Sequence, residues 1–508
     1  MIERNQNLHR VLFFLILIAA FVLRIINLEK GYNSDETLLL SFVNADLAQL
    51  IPLLKDQSVY PPLTSFLLHF WVKLGNLEIW VRGYFVLFGL LTCVMVYAIG
   101  REFRSKGFGL IVFFIAAISP LLIWASQFVR SYIDSAFWAL FSTYFLMKLL
   151  KDDWRLKIRF GYIITSVLGV YTFYFNIFFI ASQNIYFLIM RKKEFKKIKN
   201  WFLLQMLIGI SFVPGAFLAM EQTKSATGIN PVLVERGFKL FGLHVGYYAR
   251  SLAALIGMDP AFLFTQPLTK MYSKGILIAL AFLAFVLACI VLFYAIRSLE
   301  RIEKKKELAF IYPLIPLFYA IVFLLLVEFL NFPINAKYFV SSHALFIGAI
   351  GAVIYSFNYQ KVIAICIFAL LLLTYGARWK YSVLPEFDTK KAAFYLEKNM
   401  EENECLIMAR NTNYYFNTGN YKSYIFRQLM VKDRESGNYI SFSEKGEESL
   451  VDMKNNCKTL WFYKSYGNDE LLKRNSLLSN WLEINYKKER VEKLRRIELI
   501  HYKRGLNE

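Results

Sequence analysis

Two adjacent carboxylates, Asp35 and Glu36, stand in the run Asn33-Ser34-Asp35-Glu36-Thr37, directly after the first long apolar stretch of the chain. An ionised Asp can take the proton of an attacking hydroxyl, so this pair reads as a general base at a membrane surface. The same run also reads as a helix N-terminus, with Ser34 or Asp35 capping a helix that begins at Glu36. Further polar groups fall on the same predicted side: Arg82 at the start of the second apolar stretch, Gln127 and Arg130 after the third, and Lys337 before the tenth. Charge at membrane depth is costly unless paired, and a lipid-linked phosphate is a partner that Arg meets bidentately and Lys as a point charge. Taken singly, Arg82 and Lys337 read equally as side chains snorkelling to the interface, the expectation for Arg82 in particular. Asp134 is another acidic candidate, and it also reads as a negative charge at the N-terminus of the fourth span.

These groups must be held by apolar helices. The chain has 508 residues, 57% hydrophobic and 17% aromatic, a combination soluble globular proteins rarely reach. A helix crosses hydrocarbon with roughly 20 apolar residues. Eleven stretches qualify or nearly so: 11–28, 80–100, 108–125, 133–150, 160–175, 177–190, 201–220, 275–296, 308–330, 338–357 and 362–376. The first follows Arg4 and Arg10 as a signal peptide would, yet it extends to Leu28 without a small-residue cleavage site and is read as a retained span. Basic loops beginning at Arg101, Lys151, Arg191 and Arg297 alternate with connections that are longer or poorer in charge. The basic loops are expected in the cytoplasm, and the Asp35 loop, the 126–132 turn, the 331–337 turn and the tail outside. The stretch from Tyr60 to Gly75 is apolar and aromatic but too close to the next span to cross alone, which predicts an interfacial helix.

The expected fold is an α-helical polytopic membrane protein of about eleven spans over residues 1–376, followed by an extracytoplasmic α/β domain over 377–508. In the tail, helix-like runs begin at Asp388 and Asp469, and strand-like runs at Cys405 and Cys457. Neighbouring strands could bring Cys405 and Cys457 within bridging distance, but two cysteines are not a disulfide framework, and free thiols are the expected state.

The net charge of +21 does not point to nucleic acid. Such a partner needs a concentrated basic face, whereas here the tail holds 24 Lys/Arg against 19 Asp/Glu and most of the surplus sits in short loops. His69, His244 and His343 are scattered rather than spaced as ligands, so no metal site is read. The aromatic run Tyr171–Phe175 reads either as a lipid groove or as an interfacial belt. A lipid or glycan transporter is the rival class, but it predicts repeated halves with interrupted helices, and no internal repeat is found.

Several separate segments also carry a family likeness. They are Ser34-Asp35-Glu36-Thr37, Tyr60-Pro61-Pro62-Leu63 through His69-Phe70-Trp71, Glu78 to Arg82, Ser126 to Tyr132, and Ala336-Lys337-Tyr338-Phe339. In this order, over roughly residues 10–376, they resemble blocks of the GT-C fold, family 39: the polyprenyl-phosphate-sugar-dependent glycosyltransferases that include protein O-mannosyltransferases and lipid A aminoarabinose transferases. Tyr60 departs from the His or Lys that relatives carry, and Lys337 from their Arg, though the charge at 337 survives. The resemblance implies Asp35 as catalytic base, with Glu36 beside it and Asp134 as a weaker acid. It implies donor contacts from Arg130, Lys337, Gln127, Arg82, Tyr60 and Tyr338. The implied reaction moves one sugar from a polyprenyl-phosphate donor to a hydroxyl of a glycan, lipid or protein, with inversion, at the outer face of a prokaryotic plasma membrane. The expected partners are that donor, the acceptor and membrane lipids; no cofactor is expected, and a divalent metal stays open.

Overall fold

A computed structural model describes residues 6–32, 34–58, 60–227, 310–330, 336–355, 389–401, 404–408, 423–425, 430–432, 439–441, 458–465, 479–494 and 497–504, with a few positions between 293 and 308. The chain divides into two compact units: residues 1–28 with 42–382, and residues 29–41 with 383–508.

The first unit is helical. Its described elements are α1 (Gln6–Ile25), the end of α2 (Ser34–Val43), α3 (Leu47–Gln57), α4 (Pro62–Val72), α5 (Glu78–Phe103), α6 (Lys106–Ile118), α7 (Pro120–Ser126), α8 (Ile133–Leu150), α9 (Leu156–Thr172), α10 (Asn176–Arg191) and α11 (Phe195–Thr227). They continue with α12 (Ile311–Leu330), a 3₁₀ turn (Ala336–Phe339) and α13 (Val340–Tyr355). Among the described residues five helices are long and apolar enough to cross a membrane, or six if α6 and α7, bent by 62°, form one broken span. The structure therefore carries a multi-span helical membrane protein with fewer full-length spans described than the eleven expected. Helices α9 and α10 reach only 17 and 16 residues. The stretch 362–376 and nearly all of 275–296 lie outside the described residues.

Burial separates central helices from peripheral ones. The span residues of α8 are 72% buried and those of 337–355 are 83% buried, against 17% for both α1 and α11. Helix α8 packs on α5 and α9, and α13 packs on α6, α8 and α12. A helix is present within the 60–75 stretch as α4, started by Pro62 at its first position, where a missing N–H is harmless.

The α6–α7 break follows from Pro120, which has no N–H to give the Ala116 carbonyl. Arg24 of α1 supplies the missing donors. Its guanidinium donates to Ala116 O at 3.2 Å, Ala117 O at 3.0 Å, Ala20 O at 3.0 Å, Ser126 Oγ at 3.1 Å and Cys93 Sγ at 3.1 Å. Gly89 of α5 makes room for it: a Cβ there would collide with Ser126 Oγ and lie 3.1 Å from Arg24 Nε. A fully buried arginine is thus accommodated by spending its charge on the loose backbone of a broken helix.

In the second unit, α2 begins at Ser34, two residues before the expected start. The tail holds α14 (Thr389–Asn399) and strands β1 (Cys405–Met408), β2 (Ser423–Ile425), β3 (Met430–Lys432), β4 (Tyr439–Ser441), β5 (Thr459–Ser465), β6 (Tyr486–Leu494) and β7 (Ile497–Arg504). Five of them form one mixed sheet in the order β2-β1-β5-β7-β6, with β1 parallel to β2 and β5, and β7 antiparallel to β5 and β6. Strand alternation sends Cys405, Ile407, Leu460 and Phe462 to a core with Leu482. Leu406, Trp461 and Tyr463 go to another core with Ala392 and Leu396 of α14. Cys405 is disulfide-bonded, which corrects the expectation of free thiols; its partner, like Cys457, lies outside the described residues.

Candidate functional site

The 127–132 turn is fastened from behind. Gln127 Nε2 donates to the carbonyls of Arg24 at 3.1 Å and Ile26 at 3.0 Å, occupying the loose C-terminal end of α1. Arg82 donates from Nε to Gln127 O at 3.1 Å and from Nη1 to Leu28 O at 2.7 Å. Arg82 is fully buried, so it does not snorkel; it and Gln127 join the start of α5, the end of α1 and the turn. Beyond them the backbone tightens, with Arg130 N bonded to Phe128 O and Tyr132 N to Arg130 O, each at 2.8 Å.

That turn delivers Arg130 to a wall of aromatic rings. Its guanidinium lies 4.6 Å over the centre of the Tyr60 ring, a cation–π arrangement that gains strength when water is excluded. Arg130 is only 3% exposed, its buried Nε has no hydrogen-bond partner, and among the described residues it has no ion pair. The Tyr60 and Tyr132 hydroxyls are 3.3 Å apart. Lys337, carried by the 3₁₀ turn before α13, lies 5.7 Å from the Tyr132 ring centre and 5.9 Å from that of Tyr338. Arg130 and Lys337 therefore flank one hydrogen-bonded pair of tyrosines.

Phe173 sits at the centre of this wall. It stacks on Tyr60 at 6.4 Å and Tyr338 at 6.1 Å and meets Tyr132 edge-on at 5.7 Å. The aromatic run that contains it therefore contributes to the site through Phe173, while Tyr171 at its start is half-buried and donates to Ser211 O. Asp134 is 1% exposed and already engaged: its carboxylate accepts from Thr64 Oγ1 at 2.7 Å and Ser135 N at 3.0 Å. It is not the counter-charge of Arg130.

Asp35 and Glu36 occupy the first turn of α2, within the second compact unit, and Glu36 is 2% exposed. His69 Nδ1 and His343 Nε2 are engaged by Val43 O and Ser119 Oγ. Among the described residues no cluster of His, Cys, Asp and Glu could hold a metal; His244 lies outside them.

Two supporting residues escaped the sequence reading. Arg24, described above, was visible only as a lone cation inside an apolar run, a signal that by default marks function or a buried partner. Gln222 of α11 donates to Leu54 O at 3.0 Å and Tyr60 O at 2.9 Å and accepts from Tyr174 Oη at 2.9 Å. It pins the carbonyl of Tyr60 just ahead of two prolines, and nothing in its sequence surroundings marks it.

A buried arginine on a tyrosine face, lacking a carboxylate among the described residues and sharing a tyrosine pair with the half-buried Lys337, is an arrangement for an anion. Comparison with known proteins finds a match to part of the sequence and to the fold. Residues 59–216, which include Tyr60, Arg82, Gln127, Arg130 and Asp134, match the family described as dolichyl-phosphate-mannose-protein mannosyltransferase. The chain as a whole also resembles solved structures in fold. Its fold is similar to that of ArnT from Cupriavidus metallidurans in the apo state, with a TM-score of 0.60, 12% identity and 97% of each chain covered. The same protein bound to undecaprenyl phosphate matches with a TM-score of 0.54, 13% identity and 97% of each chain. The oligosaccharyltransferase of Archaeoglobus fulgidus matches with a TM-score of 0.52 and 15% identity, over 88% of this chain and 67% of that one. No curated sequence matches the chain.

Proposed function

We propose that this protein is a GT-C glycosyltransferase that transfers one sugar from a polyprenyl-phosphate carrier to an acceptor hydroxyl at the outer face of the membrane. The observation that carries the reading is Arg130: buried, stacked on Tyr60, without a carboxylate partner among the described residues, and beside Lys337. As the sugar leaves, negative charge grows on the carrier phosphate. Preorganised cations at that position stabilise the transition state more than the ground state. The Tyr60 face holds Arg130 without neutralising it, and the Tyr132 and Tyr338 rings flank Lys337.

Asp35 takes the acceptor proton in this reading, with Glu36 as the second acid. The hydroxyl oxygen attacks the anomeric carbon while the phosphate oxygen departs from the opposite face, which inverts the configuration. The reading needs no cofactor beyond the donor, since protein cations supply the charge; activity with and without a chelator decides whether a divalent ion contributes. The disulfide at Cys405 supports placing the tail in an oxidising compartment outside the cytoplasm. Cys457, three residues before the strand partner Leu460, is the proposed other half.

The test is transfer from a radiolabelled polyprenyl-phosphate sugar by purified protein supplied with membranes as acceptor. The wild type should label an acceptor with inverted anomeric configuration, and Asp35→Asn should lose about 10²- to 10⁴-fold in rate, the usual range for a general base. Movement of the labelled lipid between leaflets without any transfer would reject the reading in favour of a transporter.

A further inference from the structure

The basic start of α11 divides its charges by direction. Arg191 is bonded to Glu194 at 2.6 Å and to the Leu150 carbonyl, and Lys197 meets both Asp152 and Glu194 at 2.5 Å. These two cations consume the local carboxylates. Lys192, Lys193, Lys196 and Lys199 are exposed and have no ion-pair partner among the described residues.

Helical spacing places two of these lysines on the side that meets lipid. Phe195, Phe202, Met206, Ile210, Val213 and Phe217, spaced by seven residues and then by steps of three and four, are 81%, 58%, 54%, 59%, 48% and 65% exposed, one apolar stripe along a peripheral span. Lys199 falls on that stripe one turn after Phe195, and Lys196 lies one position beside it, seven residues before exposed Leu203. A phenylalanine almost fully exposed between lysines is costly in water but at home at the acyl boundary, where flanking lysines reach headgroup level.

We infer that the segment from Lys192 to Lys199 binds the phosphate of an anionic phospholipid, with Phe195 seated at the top of its acyl region. A loop that only sets insertion topology has no need to direct unpaired lysines along the lipid-facing stripe. Each lysine near an anionic surface favours such a lipid about five-fold, so removing two should lower selectivity by more than tenfold if both contribute fully.

The full-length protein, reconstituted in phosphatidylcholine, is probed with trace spin-labelled phosphatidylglycerol and spin-labelled phosphatidylcholine, reading the motionally restricted fraction of each. The wild type should select phosphatidylglycerol, and the double variant Lys196→Gln/Lys199→Gln, with wild-type elution and spectra, should lose most of that selectivity. A control that removes the same charge from the tail, Lys487→Gln/Lys488→Gln, should keep it. Equal selectivity in the wild type and the Lys196/Lys199 variant overturns the inference, as does an equal loss in the control. Abolition of selectivity by inorganic phosphate at matched ionic strength would assign the surface to a soluble anion instead.

Discussion

The two ends of α8 handle positive charge in opposite ways. Near its C-terminus, Glu102 takes Lys148 at 2.7 Å and Lys151 at 2.8 Å, and Asp152 with Glu194 takes Lys197. Near its N-terminus, about 27 Å away along the 18-residue helix, Arg130 and Lys337 rest on tyrosine faces, and the adjacent carboxylate Asp134 bonds to Thr64 instead. Ion pairs at one end are complete within the protein and fix where helices stop. Arg130, stacked on an aromatic ring with no ion pair among the described residues, keeps most of its charge available for a ligand, so the same residue types serve structure at one end and binding at the other.

Removing the charge at the binding end should have the larger effect on chemistry. Arg130→Ala is expected to lower sugar transfer by about 10²- to 10³-fold, the usual loss when one preorganised donor to a developing charge is removed, with normal insertion and melting. At the opposite end Glu102→Gln leaves Lys148 and Lys151 without their carboxylate. It should cost about 1–2 kcal/mol in stability with transfer per folded molecule unchanged, measured by thermal melts and by assay of the folded fraction. If Glu102→Gln abolished transfer while Arg130→Ala spared it, the contrast between the ends would collapse.

Gly89→Ala sharpens the contrast from the side of the scaffold. The added methyl collides with Ser126 Oγ and crowds Arg24, so a loss of about 1–3 kcal/mol is expected from overpacking. Because Arg24 and Gln127 secure the turn that carries Arg130, donor affinity should weaken along with stability, which Glu102→Gln should not do.

The smallest effect belongs to the tail. His501 Nε2 donates to the Glu404 carboxylate over 2.7 Å and its Nδ1 meets Glu489 at 3.2 Å, and its pKa is raised chiefly by the bond to Glu404. Burial works to raise the Glu404 carboxyl, but bonds from His501, the Glu401 N–H and Trp461 outweigh it and hold it below the ordinary carboxylate value. The His501 contribution is complete below its unfolded pKa and fades as pH rises through the raised folded value. The Glu404 contribution is complete above its unfolded value and fades as pH falls through the lowered one. The tail should be most stable between roughly pH 4.5 and 6.5, and His501→Asn should flatten the decline on the alkaline side in a melting series.

Much of the membrane module was legible in the sequence because hydrophobic length is a local property. The run 133–150 coincides with α8, and the helix read within Tyr60–Gly75 is α4. Arg130 and Lys337 stood out because charge beside an apolar run needs a partner. What those charges touch was not legible: Tyr60 meets Arg130, Tyr132 meets Lys337, and Phe173 meets Tyr60 and Tyr338, all through contacts between distant segments that spacing along the chain does not encode. Arg82 looked like an interfacial side chain because its acceptors, the backbone carbonyls of Leu28 and Gln127, carry no residue-type signal. The β6–β7 hairpin was missed because Tyr486–Leu494 is mostly exposed and charged, an edge strand without the alternation that marks a buried one.

The claim that the tyrosine-backed cations hold the carrier phosphate is tested most directly by binding of undecaprenyl phosphate to purified protein. The account predicts that Arg130→Ala and Lys337→Ala each weaken binding at least about tenfold, the worth of a charge-assisted contact, while Glu102→Gln binds as the wild type does. Wild-type affinity in Arg130→Ala would contradict it.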